Sequence, residues 1–372
     1  MLNEFLFERV TIIGLGLIGS SIARACREYR LAETIIACDQ NEISLAFARK
    51  QGFIDSATQN AAASVAESDL VIIATPPSTL QAVAMEIAPK LKPGAIVMDT
   101  CSVKQYAIDS IAPCLPQGVD FIPAHPIAGN EQSGVSAGRA ALFDKKRVIV
   151  TPDDPSQHSQ VLQKITSFWQ AMGAKLEGMP PHLHDMIYAY VSHLPQVLAF
   201  IATRPLMAQA SLFDNDPTLK KFTRLSGSDI TLWVDICLTN RAYIVAALDR
   251  YMDVIIHIIR ELKDAPEGNS DLANDTLVKT VLFPRVVASC LVTTVMEAEK
   301  KAGFSFARYA GNGFADFTYP AMHPPEDDIE NISNHYSAMS GILARYAEEL
   351  NEVRDALVSE DPQRVRAALT QP

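Results

Sequence analysis

The fold turns on residues 8–29, ERVTIIGLGLIGSSIARACREY. It opens with a short β-branched run, passes through three glycines, and continues with apolar residues at helical spacing. The glycines form Gly14-Leu15-Gly16-Leu17-Ile18-Gly19, a GxGxxG between a strand and a helix. In such a unit Gly14 permits the tight turn, Gly16 lets a pyrophosphate approach the backbone, and Gly19 lets helix and strand pack closely. The helix start, with Leu17 and Ile18, then offers N–H groups and positive partial charge to the phosphates.

Outward from this unit, strands and helices alternate. TIIACD (34–39) reads as a second strand, and NEISLAFARKQG (41–52) as a helix with Asn41 as N-cap and Gly52 as stop. DLVIIATPP (69–77) and GAIVMDT (94–100) are continuous apolar runs, as in strands buried on both faces of a parallel sheet. VDFIPA (119–124) and RVIVTP (147–152) add further strands. The expected fold for residues 1–178 is therefore an α/β, Rossmann-type doubly wound sheet. Asp39 lies 20 residues beyond Gly19 at the end of the second strand. An acid there accepts hydrogen bonds from ribose hydroxyls and repels a 2′-phosphate, so the expected cofactor is NAD rather than NADP.

In such sheets ligands bind beyond the carboxyl ends of the strands. Ala74-Thr75-Pro76, Ser102 and His125 all fall at strand ends and converge on the expected nicotinamide position. His125 opens the stretch HPIAGNEQSGV (125–135), which carries two glycines and little that could pack a core. On a polar loop of this kind a histidine reads as catalytic rather than as a satisfied core residue.

The composition is ordinary for a globular protein, at 48% hydrophobic and 20% charged residues. The 372 residues suffice for two domains, and 32 basic against 43 acidic residues give a net charge of −11. That balance, with a pI near 5.2, argues against nucleic acid or an anionic membrane as main partner. No apolar stretch is expected to reach the roughly 18 to 20 residues of a membrane span, and MLNEFLFERV does not read as a signal peptide. The six cysteines show no CxxC pair and read as free thiols of a cytoplasmic protein.

GLGLIGSS (14–21), DLVIIATPP (69–77), DTCSVK (99–104), HPIAGNEQSGV (125–135), VSHLPQVLA (191–199) and FTRLSGSDITLWVDICLTNR (222–241) together resemble the prephenate and arogenate (cyclohexadienyl) dehydrogenases of tyrosine biosynthesis. The resemblance implies NAD-dependent oxidative decarboxylation of prephenate or arogenate, giving 4-hydroxyphenylpyruvate or tyrosine. It also implies that His125 is the catalytic histidine, with Ser102 beside it near the nicotinamide. Arg224 would bind the substrate's side-chain carboxylate, with Trp233 and Ser192 shaping that pocket and Glu131 near its mouth. The chain departs from the family at Gln196, often a second histidine, and at Lys221, often an acid three residues before the arginine. Both departures bear on the choice between prephenate and arogenate. The family implies a homodimer whose core is the helical domains, a surface that a tandem helical copy within one chain could instead supply, and any inhibition by tyrosine would be competition at the active site.

The chemistry suits these residue types. Oxidising a ring alcohol needs a base for the hydroxyl proton, and histidine titrates near neutrality. A dianionic substrate needs a fixed cation, and arginine matches a carboxylate bidentately. Two other readings compete. One is the β-hydroxyacid dehydrogenase group, which uses a catalytic lysine where this chain has SHLPQ; the other is a catalytically silent NAD-binding sensor.

Residues 179–372 read as an all-α helical domain. Its helices come in two copies, about 180–263 and 277–357, separated by the polar break DAPEGNSDLANDT (264–276). LPQVLAFIA pairs with FPRVVASCL, LKKFTRLSG with FADFTYPAM, and NRAYIVAALDRY with NHYSAMSGILARY, at offsets of 89 to 95 residues. The pattern reads as an internal duplication, against the alternative that apolar helices resemble one another by chance. Tyr319 stands where the first copy has Arg224, so the second copy is expected to be structural. His182 and His184 read as surface or capping residues and His257 as packing. No metal site is expected. The acidic PPEDDIE (324–330) reads as a solvated helix entry.

Overall fold

Strand β1 (Phe7–Ile13) runs at the centre of a six-stranded sheet with β2 (Ala32–Cys38), β3 (Ser56–Thr58), β4 (Leu70–Ile73), β5 (Ile96–Asp99) and β6 (Asp120–Ile122). The order is β3-β2-β1-β4-β5-β6 and every pairing is parallel. This is the strand order of a doubly wound dinucleotide fold. The register pairs Ile13 with Cys38 and with Ile73, and Ile73 with Asp99. Four strands thus end level, which sets Gly14, Asp39, Ala74 and Thr100 along one edge of the sheet. The computed structural model describes residues 5–129, 132–152, 159–207, 216–265, 277–323 and 335–370.

The helices around the sheet are α1 (Leu17–Glu28), α2 (Glu42–Lys50), α3 (Ala61–Ser64), α4 (Leu80–Ile87), α5 (Lys104–Ile111) and α6 (Ser159–Ala171). Asn41 caps α2 as its type suggests, its side chain accepting from the Ile43 and Ser44 amides. Val10, Ile12, Ile35, Leu70 and Ile72 are all buried, consistent with strands covered on both faces.

The run VDFIPA does not form one strand. Pro123 has no N–H for a ladder, so β6 stops at Ile122 and β7 (Ala124–Ile127) begins in another sheet. There β7 pairs antiparallel with β8 (Arg147–Val150), which pairs in parallel with β9 (Lys175–Gly178). His125 consequently sits in a strand opposite Ile149, not in the loop expected from its sequence.

The chain divides into two compact units, Met1–Asp185 and Met186–Pro372. Helix α7 (Pro181–Tyr188) leads into a π-helical turn, Ala189–His193, and then α8 (Leu194–Ala202). After α9 (Pro217–Thr223), a 3₁₀ turn at Arg224–Gly227, α10 (Ile230–Thr239) and α11 (Arg241–Asp264), the pattern recurs. A second π-helical turn, Val278–Leu282, precedes α12 (Phe283–Ala302), followed by α13 (Asn312–Phe317), α14 (Tyr319–Met322), α15 (Tyr336–Ser359) and α16 (Pro362–Thr370). Each π turn is followed at the same step by a proline, Pro195 and Pro284. A proline inside a helix lacks the N–H and crowds the carbonyl four residues back, which favours local widening.

Helices α11 and α15 pack along one another, burying Leu248, Tyr251 and Ile255 with Leu343, Tyr346 and Leu350. Two expectations are corrected here. The helix spanning Val278–Ala302 is long and apolar enough to cross a membrane by length and composition, yet 56% of its most apolar window is buried inside the protein. His257 is exposed rather than packed, because it lies on the outer face of α11. The break at 266–276 and the acidic 324–330 lie outside the described residues.

Candidate active site

In the first unit, the glycine-rich turn is fixed by sterics. Gly14 has φ +95°, and a Cβ there would lie 2.6 Å from the Ala74 carbonyl oxygen. A Cβ on Gly19 would fall 1.9 Å from the Gly14 oxygen, whereas one on Gly16 would meet nothing within 4 Å. Gly14 and Gly19 are therefore required by packing, while Gly16 leaves an open approach to the backbone. Helix α1 begins at this point with no side chain capping it. Its first N–H groups need an acceptor, and the pyrophosphate of a dinucleotide supplies one.

Asp39 is half-buried, and both of its oxygens are oriented by backbone: Oδ2 accepts from the Leu15 amide at 2.6 Å and Oδ1 from the Asn41 amide at 2.7 Å. A carboxylate has about four acceptor positions, so two anchoring bonds leave capacity for ribose hydroxyls. Ala74, Thr75 and Pro76 follow β4 directly, with the Thr75 hydroxyl accepting from Thr79 at 2.8 Å. The residues present fit a dinucleotide.

The loop after β7 is drawn against this turn. Gly129 has φ +123° and a Cβ on it would touch the Leu17 side chain at 3.4 Å, while a Cβ on Gly138 would meet the Ser20 hydroxyl at 2.2 Å. Glu131 lies outside the described residues.

Behind His125 is a chain of polar groups. Its Nδ1 lies 2.9 Å from His184 Nε2, and His184 Nδ1 lies 2.8 Å from Asp185 Oδ1. Asp185 is in turn fixed by the first turn of α5, accepting from the Lys104 amide at 2.7 Å and the Gln105 amide at 2.9 Å. His184 and Asp185 are both buried, which corrects the surface or capping role expected for His184. His182, two residues earlier, is exposed. A carboxylate only accepts, so His184 donates from Nδ1 and, when neutral, accepts at Nε2. His125 must then donate from Nδ1, which places its lone pair on Nε2.

A buried ion pair ties the strand ends together. Lys104 Nζ contacts Asp99 Oδ2 at 2.5 Å and donates to the Ala124 carbonyl at 2.6 Å. Asp99 also accepts from the Cys101 amide at 2.8 Å and the Ala124 amide at 3.3 Å. Burial pushes the Asp99 carboxyl above its usual range, against the Lys104 charge and these amides. The pair joins the segment carrying Ser102, half-buried just past β5, to the strand carrying His125. Cys101, next to Ser102, is a buried thiol pushed up to about 12 by burial and so stays neutral.

In the second unit, Ser192 lies in the π turn and Gln196 one turn further, buried. Gln196 Nε2 donates to the Leu225 carbonyl at 2.6 Å and its Oε1 lies 3.3 Å from the Ser228 hydroxyl. Gln196 therefore holds the 3₁₀ turn on which Arg224 sits. Arg224 Nε donates to Asp316 Oδ2 at 2.6 Å. Trp233 meets His193 edge to face, centroids 6.1 Å apart. Asp99, Lys104, His184, Asp185 and Asp316 thus join the candidate set. Only adjacency offered a signal: Asp99 and Lys104 bracket Ser102, and His184-Asp185 opens a helix. Among the described residues, no three potential ligands cluster for a metal ion.

Comparison with known proteins bears on both units. Residues 22–178 match the family model "Prephenate dehydrogenase, nucleotide-binding domain", and residues 180–281 match "Prephenate dehydrogenase, dimerization domain". The chain is 34% identical over 256 residues to the cyclohexadienyl dehydrogenase of Zymomonas mobilis subsp. mobilis, covering 66% of this chain and 85% of that protein. It is 29% identical to the prephenate dehydrogenase of Bacillus subtilis over 66% of this chain and 67% of that protein. The crystal structure of the A. aeolicus prephenate dehydrogenase in complex with hydroxyphenyl propionate and NAD+ superposes with a TM-score of 0.60 at 29% identity, covering 69% of this chain and 92% of that one.

Proposed function

The chain belongs to the prephenate dehydrogenase family, and from that premise we propose how its residues perform NAD-dependent oxidative decarboxylation of prephenate or arogenate. The observation that carries this reading is the polar chain from Asp185 through His184 to His125, which leaves the basic lone pair on His125 Nε2.

Gly14, Gly16, Leu17, Ile18, Gly19, Asp39, Ala74, Thr75, Pro76 and Ser102 would hold NAD+, which when bound would supply the acceptor for the hydride lost from the ring carbon bearing the hydroxyl. His125 Nε2 accepts the hydroxyl proton as that hydride leaves. The positive charge then on His125 is spread toward Asp185 through two hydrogen bonds, with His184 the intermediary. The ring carboxylate departs as carbon dioxide and its electron pair completes the aromatic ring, which makes the step effectively irreversible. Ser102 steadies the same hydroxyl, and Arg224 binds the side-chain carboxylate through charge-assisted hydrogen bonds. Ser192 and Trp233 shape that end of the site, and Gln196 acts by holding the Arg224 turn.

The dimerisation-domain match fits a homodimer. Tyrosine, which carries the 4-hydroxyphenyl ring and side-chain carboxylate common to both products, would inhibit by competition, and the enzyme would work in the cytoplasm.

The test is steady-state kinetics with NAD+ and each of prephenate and arogenate, followed at the NADH band. Turnover of neither substrate would sink the assignment. His125→Asn should lower kcat about 10²-fold or more at little cost in KM. Arg224→Ala should raise KM sharply, because its contact is present in ground and transition states alike.

A further inference from the structure

The two helical copies meet through their own counterparts. Phe222 stacks on Phe317, centroids 4.8 Å apart at 27°, and Tyr251 meets Tyr346, hydroxyls 3.4 Å apart. Each residue in these pairs stands 95 positions from its partner in the sequence. Residues that touch their own counterparts lie on a two-fold axis, as at an isologous dimer interface. At such an interface an off-axis contact between two positions must recur with the copies exchanged.

One contact does so in altered form. Arg224 of the first copy pairs with Asp316 of the second through Nε at 2.6 Å. The counterpart of Arg224 is Tyr319, and that of Asp316 is Lys221. Lys221 and Tyr319 meet in turn, Nζ 3.6 Å from the ring centroid. The same two positions therefore face each other at both ends of the pseudo-two-fold, once as carboxylate on guanidinium and once as ammonium on phenol ring. Each copy carries what the other lacks: the first has the arginine but not the acid, the second the acid but not the arginine.

We propose that the second helical copy supplies Asp316 as a positioning residue for Arg224, so that one end of the pseudo-dimer is kept as a carboxylate-binding end and the other is closed. The proposal rests on the reading that Arg224 binds the substrate's side-chain carboxylate. An ion pair through Nε fixes the plane of a guanidinium that would otherwise move on a flexible stem, and a fixed plane is what bidentate recognition needs. Both side chains are about three-quarters buried, at 26% and 22% exposure, so solvent does not screen the pair fully. The expectation that the second copy is only structural is revised accordingly: Tyr319 takes no part, but Asp316, three residues before it, does.

The test is kinetic, using the full-length chain, NAD+ and whichever of prephenate or arogenate it turns over. Asp316→Asn should raise the substrate KM roughly tenfold, with kcat and the KM for NAD+ within about twofold of the parent. Asp316→Glu should recover most of that loss, and Asp316→Asn added to Arg224→Ala should cost nothing further, because the two act as one unit. If Asp316→Asn keeps the parent KM while Arg224→Ala raises it, the positioning role is wrong and the function stands. An Arg224→Ala enzyme with unchanged KM would remove the arginine's role and this proposal together. A uniform loss of kcat, both KM values and thermal stability, with no rescue by Asp316→Glu, would make Asp316 merely structural and overturn the proposal.

Discussion

His125 and His184 meet nitrogen to nitrogen at 2.9 Å, although one lies on a strand and the other on a helix 59 positions along the chain. Asp185, beside His184, fixes the direction of both hydrogen bonds. If the relay acts in catalysis, His184→Asn should lower kcat about tenfold, since it removes the group that orients His125 and carries its charge onward. The double variant His125→Asn/His184→Asn should be no slower than His125→Asn alone. Additive losses would show that His184 works independently of His125.

Lys104 and Asp99 are wholly buried and, among the described residues, paired with each other and with backbone. Lys104→Met would leave the Asp99 carboxylate without its cation, at a cost of about 3–5 kcal/mol. Thermal unfolding should show a fall of several degrees, and Asp99→Asn in the same chain should restore part of it. An unchanged Tm would mean that water reaches the pair.

The buried thiols give a pH dependence. Burial pushes Cys38 up to about 11, and Cys101, Cys237 and Cys290 up to about 12. Unfolded thiols ionise near 8.5, so their folded values are raised. Stability from these groups is complete below about pH 8.5 and is lost as the pH climbs toward 11 to 12. Urea midpoints should therefore fall between pH 8.5 and 11. Iodoacetamide at pH 8 should leave Cys101 unlabelled in the native protein, by mass spectrometry, and label it in urea. Rapid native labelling would mean that Cys101 is accessible.

Much of this was legible in the sequence because it rests on local rules. The GxGxxG, Asp39 and the apolar strand runs follow from turn sterics and period, and the sheet places them where those rules require. His125 was recognisable by its company, but its strand was not: Pro123 splits an apparently single apolar run between two sheets. His184 escaped because a lone histidine at a helix start looks like a cap, and only the fold brings it behind His125. Lys104 escaped for a similar reason, since a lysine reads as surface until the tertiary structure buries it with Asp99. The role of Asp316 depends on a pseudo-two-fold that no local window contains.

Asp39 should set the cofactor preference. Asp39→Ala removes the carboxylate that would face the ribose hydroxyls, and with it the repulsion of a 2′-phosphate. The ratio of kcat/KM for NAD+ to that for NADP+ should fall at least tenfold. The same substitution removes the anchors from the Leu15 and Asn41 amides, so absolute activity with NAD+ should fall as well. An unmodified enzyme using both cofactors equally would refute the assignment.

Removal of the second helical copy should abolish folding, not only substrate binding. A chain ending at residue 270 lacks α12 to α16, and of these α12 and α15 pack against α11. Ile244, Leu248, Tyr251 and Ile255 on α11 are now fully buried. Burial of each such side chain is worth about 1.5–3 kcal/mol, so uncovering four is comparable to the whole folding margin of about 5–15 kcal/mol. The shortened protein should aggregate, as judged by size-exclusion chromatography, because the exposed face is continuous along the helix. Tyr319→Ala in the intact chain should by contrast leave both KM and kcat within about twofold, since it frees Lys221 and the stacked His323 from a ring at a partly exposed end and touches none of the described candidate substrate-binding residues. A soluble, active truncation would show that the first copy stands alone. Collapse of substrate binding in Tyr319→Ala would show that the closed end of the pseudo-dimer still serves the site.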